Sequence, residues 1–252
     1  SYLTDYWDDL QPTNKPRRLP PLRAMGPLLL MWGLSMVVTI WQQDLGAATM
    51  LFIVFLTMLY IASGEWIYIG VGGGLLLSAV VIAYGLFSRV QLRVDIWLNP
   101  WPEASDRAFQ VVQSLIAFAS GGIGGQGIGQ GAPVYIPVVH SDFIFAAIAE
   151  EWGLIGSLSV LGWLAILILR GLQIAALWVD SHFRMLLVAG LAVQLATQSL
   201  LITGGVLKLI PLTGVTLPFM SYGGSSLLMS FVLIGLFLVL SAPPTPLEED
   251  LT

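Results

Sequence analysis

Six stretches of this chain are apolar over roughly the length that crosses a lipid bilayer, and no other feature limits the fold as tightly. A spanning helix needs about 20 apolar residues to match the hydrocarbon core. Residues 22–41, 47–62, 66–87, 143–169, 183–202 and 226–240 qualify, the second and last being short. The chain's 252 residues are 56% hydrophobic and only 10% charged, where ordinary globular domains run near a quarter charged. An all-α polytopic membrane protein is therefore expected, a single transmembrane domain over residues 1–252. The net charge of −5 is spread over few groups, and no basic patch tracks phosphates, which excludes nucleic acid as a partner. Cysteine is absent, which excludes disulfides and cysteine-based metal sites. The opening "SYLTDYWDDLQPTNKPRRLPP" is polar, acidic, then basic. It lacks the apolar core and cleavage site of a signal peptide, and it has no initiator Met.

Charge sets the orientation. Lys15, Arg17, Arg18 and Arg23 crowd the first span, which places that end in the cytoplasm by the positive-inside rule. Alternation then puts Arg170, Arg184 and the acidic tail "PLEEDLT" inside. Three regions fall together outside: the "QQD" turn at 42–44, a large loop at 88–142 and a second loop at 203–225. The large loop holds a shorter apolar stretch, 111–119, too brief to span and read as interfacial or re-entrant. Arg89, Arg93, Arg107 and Lys208 lie outside against the charge rule. A cluster of outward cations invites an anionic ligand.

The segment "IPVVHSDFIFAAIAEE" at 136–151 carries three carboxylates into an apolar helix. Asp142 stands at its outer mouth, followed by Phe143, Ile144 and Phe145. A carboxylate beside apolar rings loses solvation, which suits it to accept a proton near neutral pH. The same pattern suits a helix N-cap, because His140, Ser141 and Asp142 precede the helix. One carboxylate can serve both purposes. Glu150 lies about 80° around the helix from Asp142 and Glu151 nearly opposite, so these do not form one paired-carboxylate site. At that depth each either packs through a hydrogen bond or belongs to a proton relay.

In "SRVQLRVDIWLNPW" (88–101), Arg89 and Arg93 share a helix face four residues apart, suited to bidentate capture of phosphate oxygens. Trp97 and Trp101 suit the headgroup level or a sugar face. A nonspecific interfacial anchor fits these residues equally well. "GGIGGQGIGQGAP" (121–133) lacks the strand and helix that a dinucleotide-binding fingerprint needs. It reads as close backbone packing or as a mobile outer loop. "LIPLTGVTLPFMSYGGSS" (209–226) breaks the backbone just before the last span, which is tolerated where it lines a cavity. Ser221 and Ser225 lie in that wall as candidate ligand-binding groups.

Taken in order, "QQDLGAA", "LNPW", "FQVVQSL", "GQGIGQG", "IPVVHSDFIFAAIAEEWGLIG" and "PLTGVTLPFMSYGGSS" resemble the SEDS family (shape, elongation, division and sporulation), whose best-known members are RodA and FtsW. The resemblance covers nearly everything after Trp41. It implies a ten-helix membrane protein of the bacterial cytoplasmic membrane that polymerises lipid II into glycan strands outside the cell, usually beside a class B penicillin-binding transpeptidase. The family's essential aspartate falls on Asp142, its paired glutamates on Glu150 and Glu151, and its "QPDLG" aspartate on Asp44, a supporting position. Departures are Gln43 for the usual Pro, Ser141 for Thr, Val138 for a frequent Glu and Thr203 for a common Asn. Thr213 in the "PLTG" turn is closer to the RodA branch, since FtsW tends to carry Lys there. The family pattern also implies about four further spans ahead of the first one here, "SYL" resembling the end of the fourth.

The expected function is thus a peptidoglycan glycosyltransferase, with Asp142 as the base that deprotonates the acceptor sugar's 4-hydroxyl. Arg89, Arg93 and Lys208 would hold the leaving diphosphate, while His140, Ser141, Trp97, Ser221 and Ser225 would contact substrate. No cofactor is required, and a divalent cation, Mg or Mn, would help at the diphosphate. Membrane lipids are partners in any case. The competing classes are a flippase for the same lipid, which needs charges through the middle of the bundle, and a noncatalytic scaffold of the wall-synthesis machinery.

Overall fold

The computed structural model describes residues 22–42 and 44–242, and its helices follow the apolar runs. They are α1 (Leu22–Trp41), α2 (Leu45–Ser63), α3 (Trp66–Leu86), α4 (Ser88–Leu98), α5 (Phe109–Gly121), α6 (Ile144–Leu177), α7 (His182–Val206) and α8 (Gly224–Ser241). Short 3₁₀ turns lie at Trp101–Glu103 and Pro133–Tyr135, and no strand occurs among the described residues. Five helices (α2, α3, α6, α7 and α8) are long and apolar enough to cross a membrane, while the apolar run of α1, Leu29–Trp41, is shorter. The all-α polytopic architecture stands, with the first of the six expected spans weaker than the rest. Lys15, Arg17, Arg18, Gln43, the side chain of Arg23 and the acidic tail lie outside the described residues.

Local sequence explains where the helices stop. Asp44 caps α2, its Oδ1 accepting from the Ala47 N–H at 3.0 Å. Gly64 ends the same helix in the left-handed region (φ 70°), its N–H closing on the Tyr60 carbonyl at 2.8 Å. This is the glycine cap that L-residues with a Cβ resist. At the far end of α7, Gly204 and Gly205 stay in the helix, and Thr203 Oγ1 donates to the Ser199 carbonyl at 2.6 Å. The second outer connection is therefore 207–223.

α7 is the axis of the bundle. It buries Val188, Ala189, Ala192, Leu195, Ile202 and Val206 against α2, α6 and α8. Small residues set the spacing: a Cβ on Gly190 would press on Met58 Sδ of α2, and one on Gly171 of α6 would press on the Phe237 ring of α8. Two apolar clusters result. One joins Ala117, Ile136, Phe143, Phe145, Val160, Ile202 and Leu217 at the end that carries Asp142. The other joins Ala175, Val188, Ala192, Leu233 and Phe237 towards the opposite end, where the Trp178 indole donates to the Leu240 carbonyl at 2.7 Å and Arg184 lies 4.4 Å over its ring. The outer faces stay apolar and exposed, as Leu77 (69%) and Val239 (71%) illustrate. Such faces fit lipid, and in water they would be an aggregation surface.

α6 is not one regular helix. Gly153 has φ 67° and ψ −160°, which interrupts the ladder and frees carbonyls above it and N–H groups below. A glycine-rich loop takes four of them. Gln126 and Gly127 donate to the Glu150 and Glu151 carbonyls at 2.9 and 3.0 Å, and Leu154 and Ile155 donate back to the Gly122 and Ile123 carbonyls at 2.9 and 3.3 Å. The approach demands glycine: a Cβ on Gly121 or Gly125 would overlap the Ala149 or Glu151 carbonyl of α6. α5 thus runs to the break and the loop returns along α6. Packing, the first of the two roles open to the glycine run, is the one realised.

Candidate functional site

Asp142 sits one residue outside the N-cap position of α6. Phe143 occupies that position, and no side chain caps the helix. The N-cap role for Asp142 is therefore overturned: the turn closes one residue later than the sequence implied. Among the described residues its half-buried carboxylate accepts no hydrogen bond. The residue is held from its backbone instead. The Ser221 hydroxyl, itself accepting from the Leu217 N–H at 2.7 Å, donates to the Ser141 carbonyl at 2.6 Å. The Tyr222 N–H donates to the His140 carbonyl at 2.7 Å. The His140 ring is exposed and meets the Tyr222 ring edge-on at 5.5 Å. Ser141 turns its hydroxyl to the Val138 carbonyl at 3.3 Å.

Opposite Asp142 stands Arg93 of α4. Its Nη1 donates to the Thr213 carbonyl at 3.2 Å. The point where a Cβ on Gly214 would lie is 3.7 Å from Arg93 Nη2 and 4.0 Å from Asp142 Oδ2. Gly214 (φ 76°) therefore leaves open the space that a carboxylate and a guanidinium both border. The start of α2 closes the same corner, since a Cβ on Gly46 would overlap the Thr213 carbonyl, and this brings the capping Asp44 to the cluster. Among the described residues, Thr213 Oγ1 is buried without a partner.

The other candidates divide. Arg89, one turn before Arg93, is exposed and borders a cavity of about 150 Å³ with Ile40, Leu45, Leu86 and Phe87. Its charge thus stands beside four apolar side chains of one cavity. Trp97 donates its indole N–H to the Lys208 carbonyl at 3.1 Å, which ties α4 to the 207–223 connection and brings Lys208 to the same end. Ser225 is exposed at the start of α8, whereas Ser221 is buried. Arg107 is exposed on the loop between α4 and α5.

Glu150 and Glu151 stand apart from this cluster. Glu150 Oε1 accepts from the Ala132 N–H at 3.1 Å and Glu151 Oε1 from the Gly129 N–H at 3.2 Å. They fasten the glycine loop. Below the break, residues 154–177 extend about 36 Å at 1.5 Å per residue, enough to cross a bilayer alone. The glutamates therefore need not enter hydrocarbon at all. Among the described residues no three His, Asp or Glu side chains converge as a metal ligand set.

What the fold defines is a multi-pass membrane protein, with a carboxylate and a guanidinium bordering one open space at one end of its bundle. The sequence comparisons agree with the membrane class. Residues 6–244 match the family of cell cycle proteins that groups FtsW, RodA and SpoVE, and the chain belongs to that family. It is 44% identical over 218 residues to the peptidoglycan glycosyltransferase RodA of Mycobacterium tuberculosis, covering 86% of this chain and 46% of that protein. The corresponding protein of Mycobacterium leprae is 43% identical over 218 residues, covering 86% and 47%. The probable peptidoglycan glycosyltransferase FtsW of Geobacter sulfurreducens is 36% identical over 220 residues, covering 85% and 58%. The chain spans about half the length of the curated relatives it matches. With its apolar helices, family membership makes it a multi-pass protein of the cytoplasmic membrane.

Proposed function

We propose that this chain forms the reacting corner of a peptidoglycan glycosyltransferase that joins lipid II units into glycan strands at the outer face of the cytoplasmic membrane. The observation that carries this reading is the pair Asp142 and Arg93, bordering one open point over Gly214. Glycosyl transfer from a lipid diphosphate needs a base at the attacking hydroxyl and positive charge at the leaving diphosphate. Asp142 takes the proton from the acceptor's 4-hydroxyl as its oxygen attacks the anomeric carbon and the bond to the diphosphate breaks. Arg93, with Arg89 and Lys208 nearby, stabilises the charge that develops on the departing oxygens. One carboxylate suffices because the cations neutralise the leaving diphosphate, which then needs no general acid. Any divalent ion here would draw ligands from the diphosphate as well as from Asp142.

The cavity beside Arg89 suits the lipid end of such a substrate, and the orientation rule puts this corner outside. The transporter reading loses its support, because Glu150 and Glu151 are occupied by the glycine loop. A class B penicillin-binding transpeptidase is the partner this reading implies. The test is Asp142→Asn in the complete encoded protein, which keeps size and removes the base. Glycan synthesis from purified lipid II should fall at least ~100-fold, the scale of general-base loss, with membrane insertion unchanged. Near-normal synthesis by that variant would remove Asp142 from the role.

A further inference from the structure

Among the described residues the Asp142 carboxylate accepts no hydrogen bond that would fix it, and it does not cap α6, so something must set where it points. The peptide group between Ser141 and Asp142 is gripped at both ends. Its N–H donates to the Val138 carbonyl at a long 3.4 Å, and its carbonyl accepts from Ser221 Oγ at 2.6 Å. The short bond is the tighter constraint. Ser221 is only 6% exposed, and its oxygen is committed on both sides, accepting from Leu217 N–H and donating to Ser141. Such a hydroxyl has no remaining donor for a sugar.

Two turns with positive φ face each other across this bond, Val138 (φ 56°) on one side and Phe219 (φ 66°) on the other. Non-glycine residues hold that conformation only where the surroundings fix them. The Tyr222 N–H to His140 carbonyl bond at 2.7 Å runs beside it, so the 217–222 turn clamps the 138–142 turn along one edge. The 217–222 turn also follows directly on Thr213 and Gly214, which carry the Arg93 contact.

We infer that Ser221 is a positioning residue: its hydroxyl sets the Ser141–Asp142 peptide plane, and through it the distance of the Asp142 carboxylate from the space over Gly214. This rests on the reading of Asp142 as the base. It differs from a substrate contact in what it predicts. A group that binds sugar alters KM, whereas a group that aims the base alters kcat and leaves binding alone. Displacing a reacting group by a fraction of an ångström is sufficient for a large loss.

The experiment compares Ser221→Ala, Ser221→Thr and Ser230→Ala in the complete encoded protein, with Asp142→Asn alongside. Ser230 is a buried α8 serine whose hydroxyl donates within its own helix, to the Ser226 carbonyl at 2.9 Å, and has no bond to the 138–142 turn. It controls for the loss of a buried hydroxyl. Ser221→Ala should lower kcat for lipid II polymerisation about 10- to 100-fold, with KM within twofold and a detergent Tm matching that of Ser230→Ala. Ser221→Thr, which keeps the hydroxyl, should recover most of kcat, and Ser230→Ala should remain near the parent. A rise in KM at constant kcat would overturn the inference in favour of a substrate contact. Unchanged kinetics in Ser221→Ala would overturn it too, as would a Ser221→Thr variant that folds but stays slow. If Asp142→Asn is itself active, the failure lies with the base assignment, a result the Ser221 kinetics cannot produce.

Discussion

Replacing Arg93 by Lys keeps a charge beside Gly214 and removes the fork. Arg93 uses one nitrogen on the Thr213 carbonyl and turns another towards the space over Gly214, a division of labour that a single ammonium cannot reproduce. A diphosphate clamp should therefore lose about tenfold in lipid II affinity on Arg93→Lys, the scale of one charge-assisted hydrogen bond, and more on Arg93→Ala. An interfacial anchor responds only to charge. Binding measured at two salt concentrations separates them: if Lys matches Arg and both variants prefer any anionic lipid equally, the loop is an anchor. Asp142 and the arginines were legible in sequence because motif and spacing mark them locally. Gly214 and Ser221 were not legible in these roles. Their partners lie on distant segments (Arg93 on α4, Ser141 before α6), and a contact between such turns leaves no periodicity to read.

Among the elements, α6 holds the largest difference between pattern and fold. Its apolar run predicts one continuous span, and the start and core of that span are where they should be. The break at Gly153 left a signal only in hindsight, a glycine directly after "EEW" and a glycine-rich run upstream of matching size. Counting turns from Asp142 puts Glu150 and Glu151 within the bilayer, while residues 154–177 are long enough to reach across without them. The two carboxylates serve the loop, so an amide should replace either. Glu150→Gln should retain most activity because it keeps an acceptor oxygen for Ala132. Glu150→Leu removes that acceptor at a site 7% exposed and should lower stability by about 1–3 kcal/mol, read as a drop of detergent Tm. Loss of turnover in the Gln variant at unchanged Tm would assign Glu150 to proton movement instead.

For the whole molecule, α7 holds two unlike ends together. One end has Asp142, Arg93 and Asp44 around the 207–223 connection, and the other is closed by Trp178, Arg184 and the last turn of α8. Which end faces outward is an expectation from charge asymmetry, a property of sequence that needs no contact. A chain without cysteine makes the orientation easy to test. Val134→Cys, at an 88% exposed position on the connection that leads to Asp142, should react with a membrane-impermeant maleimide in intact cells. Val179→Cys, 60% exposed at the other end, should react only after permeabilisation. The reverse pattern would turn the site inward and remove the glycan-assembly reading.

The exchange of backbone partners around Gly153 has a consequence for which parts of the protein come apart together. Four main-chain bonds cross between the loop and α6, two in each direction. Each pairs a loop group with a group that the break takes out of the helix ladder, so the loop and the helix turns beside the break open together. The loop at 121–132 and the turns of α6 on either side of the break therefore form one cooperative opening unit, not a flexible appendage on a rigid rod. Glycine content usually marks a place where a chain tolerates cutting, lengthening or tagging. Here it marks a splice, and an insertion within it would undo the helix on both sides.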